Sequence, residues 1–254
     1  MGNTLPGVSL TSFLLLLAAA LTGGVANALA GGGTFLVFPT LLLAGLDSIA
    51  ANATSAATML PGGIASAWVY RRPYDAKLVR ALVLVSIAGG ITGSVLLILT
   101  PNDRFTLIVP YLMLGAAILF TFSGPIQRLA AAHTATHTIW IPLIASQYLI
   151  AVYGGYFGAG MGVPMIVLFL VAAHLDVQQS AALRFYCSFG INGFAVAIFA
   201  LRGIIDWRLS IPMAVAAVAG GYWGAHAVKR MTVVAARRAV MLYAWATTLW
   251  LFLR

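Results

Sequence analysis

The chain has no glutamate, and five aspartates stand against fourteen lysines and arginines. Charged residues make up 7% of its 254 positions, whereas a soluble domain carries about 25% to keep its surface solvated. This shortage excludes a water-solvated globule. A membrane-embedded enzyme would need a nucleophile–base pair or a carboxylate cluster within its apolar segments, and every Asp and His falls in a loop or near a segment end. A single cysteine, Cys187, rules out an intramolecular disulfide. His133 and His137 have i, i+4 spacing but no further Cys, Asp or Glu nearby, so no metal is expected, and no motif calls for a cofactor. No linker or charged run is long enough to set off a soluble unit, so residues 1–254 read as a single membrane domain.

Hydrophobic residues fill 62% of the chain, and the mean hydropathy is +1.00. Apolar stretches of spanning length, about 20 residues, run over Ser9–Leu29, Ser48–Tyr70, Leu78–Leu99, Phe105–Ser123, Thr138–Phe157, Val177–Leu201, Leu209–Val228 and Val233–Leu253. The expected fold is all-α, a polytopic transmembrane helix bundle whose solvent is the lipid bilayer. Leu10–Leu21 followed by Ala26-Asn27-Ala28 looks like a signal peptide with its cleavage site. Met1–Ser9 carries no Lys or Arg, however, so the segment is expected to stay as a helix. The net charge of +9 comes from cations lying between apolar segments rather than along one face, which points to the positive-inside rule and not to a nucleic-acid partner.

Two stretches are too short for a simple span, Thr34–Leu46 and Val163–Leu175, and each follows a glycine cluster. They also mark an internal repeat. Ala30-Gly31 and Gly33 match Ala159-Gly160 and Gly162, while Gly45-Leu46-Asp47 falls beside His174-Leu175-Asp176. After a two-residue shift Arg71, Asp75 and Lys77 match Arg202, Asp206 and Arg208, and Gly89–Gly93 matches Gly220–Gly224. Repeat 1 covers about 9–123, a cytoplasmic connection 124–137, and repeat 2 about 138–253. Five segments per copy invert the second copy. The cation-rich loop Arg71–Arg80 then lies inside with Arg128, Lys229, Arg230, Arg237 and Arg238, and both termini lie outside. Inverted repeats with interrupted segments characterise secondary transporters.

Glycine clusters break a helix and start a new one, whose N-terminal amides and partial positive charge suit an anion. Gly31, Gly32, Gly33 and Thr34 in the first copy, with Gly160 and Gly162 in the second, are therefore candidate substrate contacts. Close helix packing is the competing reading, and it is the better one for Gly89, Gly93, Gly220 and Gly224. Just downstream lie Asn52, Thr54, Ser55 and Thr58, and in the second copy Ser180, Arg184, Ser188 and Asn192, spaced by four on one helical face. Interhelical hydrogen bonding competes with substrate contact for these hydroxyls and amides. Arg184 stands out. It lies about 10 Å into its span, at a depth where a charge costs about 2.5–3.5 kcal/mol, and no carboxylate shares that depth. Either a bound anion or snorkelling to the interface would answer that cost. Asp47 and Asp176 are expected to cap the helices that follow them.

The run Gly31-Gly32-Gly33-Thr34-Phe35-Leu36-Val37-Phe38-Pro39 with Asn52-Ala53-Thr54-Ser55 resembles the TauE/SafE family of sulfite and sulfonate exporters. So do Gly155–Pro164, Asp206-Trp207-Arg208 and Gly220–Ala225, and the likeness spans nearly the whole chain. It implies a multi-pass inner-membrane secondary carrier, bacterial in setting, for a small organosulfur or related organic anion, working by alternating access. Where the family often has a Thr-Ser pair in the second copy, this chain has Leu183-Arg184. An anion channel is the alternative reading, and a homodimer is compatible with the sequence.

Overall fold

A computed structural model describes residues 9–30, 32–69, 75–132, 137–227 and 233–253; the side chains of 29, 30, 63–69, 225–227 and 233–237 fall outside that description. Among these residues the chain is all helix, with no strand. The helices are α1 (Leu10–Ala30), α2 (Thr34–Leu43), α3 (Ser48–Val69), α4 (Ala76–Leu99), α5 (Asn102–Ala131), α6 (Trp140–Tyr156), α7 (Gly162–Ala172), α8 (Val177–Leu201), α9 (Trp207–Ala227) and α10 (Val233–Leu253). Four of them, α1, α4, α5 and α8, are long and apolar enough by length and composition to cross a bilayer. At about 1.5 Å per residue, α2 and α7 cover about 15–17 Å, half of a hydrocarbon core about 30 Å thick.

The scarce acidic residues are spent on helix starts, where they satisfy orphan amides and face the positive end of the dipole. Asp47 Oδ1 accepts from Ala50 N at 2.9 Å, and Asp75 Oδ1 from Lys77 N at 2.9 Å. Asp206 Oδ1 accepts from the amides of Arg208 and Leu209. Asp103 lies in the first turn of α5. Asp176 forms a full capping box: it accepts from Gln179 N at 2.7 Å, while its own amide donates to Gln179 Oε1 at 3.0 Å. Asp176→Ala is expected to lower stability by about 1 kcal/mol, read as a drop in the thermal midpoint of the detergent-solubilised protein.

The helix boundaries lie close to the hydropathy limits except at α5, which continues past Ser123 and through Pro125 to Ala131. The expected connection from 124 therefore begins as helix. Packing explains the extension: Ala130 is buried in a small apolar cluster with Ile166 and Leu170 of α7. The ends of α2 and α7 match each other. Gly45 has φ +96° and His174 φ +54°, so both helix ends turn through the left-handed region just before the Asp that caps the next helix.

Helix pairs recur with the halves exchanged. α1 packs on α9 as α6 packs on α4, α3 on α9 as α8 on α4, and α2 on α10 as α7 on α5. The α3–α8 and α5–α10 contacts map onto themselves. The two largest interfaces are closed by glycines. A Cβ at Gly24 or Gly220 would overlap a backbone carbonyl across the α1–α9 contact (Ala217 and Leu21, respectively). One at Gly93 or Gly155 would do the same across α4–α6, against Val152 and Gly90. Gly24 and Gly155 stand 131 residues apart, as do Gly89 and Gly220, and Gly93 and Gly224. Without side chains at these points, helix backbones meet directly, the arrangement small residues permit in membranes.

Candidate functional site

Where α6 ends, Gly158 (φ +78°) and Gly160 (φ +73°) turn the chain through left-handed conformations that side-chain-bearing residues rarely adopt. Tyr153 secures this turn, its hydroxyl donating to the Ala159 carbonyl at 2.5 Å. The break leaves C-terminal carbonyls of α6 without helical partners. One of them, Tyr156 O, accepts from Asn52 Nδ2 of α3 at 3.0 Å. A residue of the first half thus closes a broken helix of the second.

Beside this junction lies a small, partly enclosed cavity of about 70 Å³, lined by α1, α2 and α3 from one half and by α6, α7 and α8 from the other. Arg184 is the only ionisable side chain among its described lining residues, and it is 5% exposed. Its guanidinium carbon lies 4.5 Å from the Phe185 ring centroid. Its side chain also passes directly over Gly162, the first residue of α7: a Cβ there would stand 2.7 Å from Nη1 and 2.8 Å from Cδ. Arg184 is therefore packed at the start of the half-helix α7.

Six of the eleven candidate residues that the structure describes meet at the cavity. Thr34, Asn52, Gly162, Arg184, Ser188 and Asn192 line the cavity together. Thr54 is turned away from it, its Oγ1 accepting from Asp206 N at 3.1 Å and tying α3 to the start of α9. Ser55 is fully buried outside the lining, and among the described residues no partner reaches its Oγ. Gly32 lies against Phe120 and Val240, while Gly33 packs against Gly23, Asn27 and Met59. Gly160 faces Ala116 and Phe35, so its part is conformational. Gly31 lies outside the described residues, as do Arg71, His133, Lys229 and Arg230, and the side chain of Arg237.

The half-helix ends offer fewer amides than glycine breaks suggest. Phe35 N donates to Gly32 O, and Leu36 N and Val37 N to Gly33 O. Val163 N donates to Gly160 O, and Pro164 has no N–H. The cavity also contains residues that sequence spacing did not single out. Asn27 of α1 is one; an amide inside an apolar span was the available signal, but it sat in the triplet that mimics a cleavage site. Met59, Phe157, Met161, Phe185 and Phe189 supply apolar wall.

A multi-pass helical membrane protein, with a cavity at the seam of its halves and one buried cation in it, has the form of a solute transporter. Residues 15–251 match the family model described as "Sulfite exporter TauE/SafE". The chain belongs to this family of membrane transporters. It is 26% identical over 213 residues to "Probable membrane transporter protein ORF9" of Sinorhizobium sp, covering 83% of this chain and 81% of that one. A "Probable membrane transporter protein" of Haemophilus influenzae is 25% identical over 205 residues, covering 80% and 79%. "Probable membrane transporter protein YfcA" of Escherichia coli K12 is 24% identical over 214 residues, covering 82% and 78%.

Proposed function

We propose that this protein is a secondary transporter that carries a small organosulfur or related organic anion across the bacterial inner membrane by alternating access. The observation that carries the reading is Arg184, buried in the seam cavity and packed on the first residue of α7. In lipid a buried cation is costly, and such residues characteristically serve solute pathways. Thr34, Asn52, Ser188 and Asn192 would orient the anion, and Asn27 joins them.

The two halves would enter the membrane with opposite orientation and rock against each other about the cavity. The exchange of helix contacts between α1–α5 and α6–α10 supports that reading, and so does the excess of cations in the loops assigned to the inside. Both termini would then lie outside, which tag accessibility on intact spheroplasts tests. The name of the matched family model supports sulfite or a sulfonate as cargo.

Uptake of radiolabelled sulfite or ethanesulfonate by proteoliposomes containing the purified chain tests the function. Saturable uptake that unlabelled substrate inhibits is expected; uptake no faster than in protein-free liposomes would refute it. Gly162→Ala places a methyl group where Arg184 now runs. It is expected to weaken anion binding about tenfold, or about 1.4 kcal/mol, as measured by isothermal titration. An unchanged affinity would separate Arg184 from the site.

A further inference from the structure

The hydrogen bonds around the cavity are spent unevenly. Asn52 Nδ2 donates to Tyr156 O, and Asn192 Nδ2 donates to Ser188 O at 3.0 Å. Both partners are backbone carbonyls, which can only accept, so the orientation of each amide is set: nitrogen faces the backbone with one of its two protons, and Oδ1 is left over with the second. Ser188 Oγ directs its proton towards Met165 Sδ at 3.9 Å, which leaves its lone pairs. Among the described residues no donor reaches Asn52 Oδ1 or Asn192 Oδ1. Three cavity side chains have thus committed a donor to the protein and kept acceptors. Arg184, one helical turn below Ser188 and two below Asn192 on α8, has donors only.

A plain anion is made entirely of acceptors. It meets Arg184 and the second Nδ2 proton of Asn52 or Asn192, but it brings no donor to Ser188 Oγ or Asn192 Oδ1. We infer that the preferred substrate is an anion that also carries a hydrogen-bond donor, a hydroxyl or an ammonium group, on its short body. Its anionic group meets Arg184, and its donor meets the acceptor pair Ser188 Oγ and Asn192 Oδ1. The apolar surfaces of Phe185 and Met161 flank the carbon between them. This inference rests on the carrier reading of the same cavity.

Matched pairs test it: ethanesulfonate against 2-hydroxyethanesulfonate, and propionate against 2-hydroxypropionate, titrated into the detergent-solubilised full chain. The hydroxyl member of at least one pair is expected to bind about threefold to tenfold more tightly, the return on one added hydrogen bond. In the Ser188→Ala/Asn192→Ala double variant that preference is expected to vanish, so that the two members of each pair bind alike. The lost bonds run within α8 or to one sulfur atom, so this variant is expected to fold; its thermal midpoint checks that. Equal binding within both pairs overturns this inference and leaves the carrier reading standing. A preference that survives in a folded double variant overturns the assignment to Ser188 and Asn192. Binding by no member of either pair overturns the carrier reading and this inference together.

Discussion

Arg184→Ala is expected to weaken anion binding about tenfold to a hundredfold while the protein stays folded. A hydrogen bond to a charged group contributes about 1.5–3 kcal/mol, and the other polar groups lining the cavity are neutral. Two opposing effects protect the fold. The variant loses the contact with the Phe185 ring, worth about 0.5–2 kcal/mol. It also relieves the cost of holding a charge at depth, about 2.5–3.5 kcal/mol. The thermal midpoint should therefore change far less than affinity does. Arg184→Lys keeps the charge but not the planar fork, and intermediate affinity is expected. Titration of ethanesulfonate or sulfite into each variant, beside a melting curve, reads both quantities. A parallel loss of affinity and folded protein would mean that Arg184 is structural.

The second large effect is expected at the glycine-closed interfaces. At Gly24, Gly93, Gly155 and Gly220 an added Cβ overlaps backbone atoms of the facing helix, and no rotamer can relieve the overlap. Overpacking a well-filled core costs about 1–3 kcal/mol, and separating two helices along their length costs more than moving one side chain. Gly220→Val and Gly93→Val are therefore expected to abolish monodisperse, folded protein. Gly115 and Gly193 supply the contrast. A Cβ at either meets nothing within 4 Å, and both lie inside helices. Replacing them by alanine is expected to be neutral or to stabilise by up to about 1 kcal/mol. Size-exclusion profiles and melting curves of the four variants distinguish the groups. Equal behaviour would show that backbone contact at Gly93 and Gly220 does not hold these interfaces closed.

The architecture was largely legible because lipid imposes a simple rule: apolar runs become helices, and the few charges are left at their ends. Asp47, Asp75, Asp176 and Asp206 show this directly, since each was visible at a segment boundary and each caps the helix beyond it. The end of α5 was not legible. The Ser123-Gly124-Pro125 run reads as a stop, and only contact with α7 carries the helix on to Ala131.

The site was legible along α8 and less so along α3. Spacing by four placed Arg184, Ser188 and Asn192 on one face, and that face borders the cavity. On α3 the polar residues crowd together without a period, so the sequence does not say how the helix is rotated. In the structure Asn52, Ala56 and Met59 face the cavity, while Thr54 meets the start of α9. Gly32, Gly33 and Gly160 read as anion contacts because glycine exposes backbone, yet here they serve turns and close packing, and carbonyls one turn back take up nearby amides. Asn27 was hidden for another reason: a single amide in an apolar span has no pattern to reveal it.

Counterflow in proteoliposomes tests the central claim most directly. Vesicles are preloaded with unlabelled substrate, diluted into a trace of labelled substrate, and followed over time. A carrier that exposes one cavity alternately to each side returns loaded faster than empty, so preloading should accelerate labelled uptake and produce a transient overshoot. Uptake that rises linearly with concentration and ignores preloading would contradict alternating access and indicate a pore.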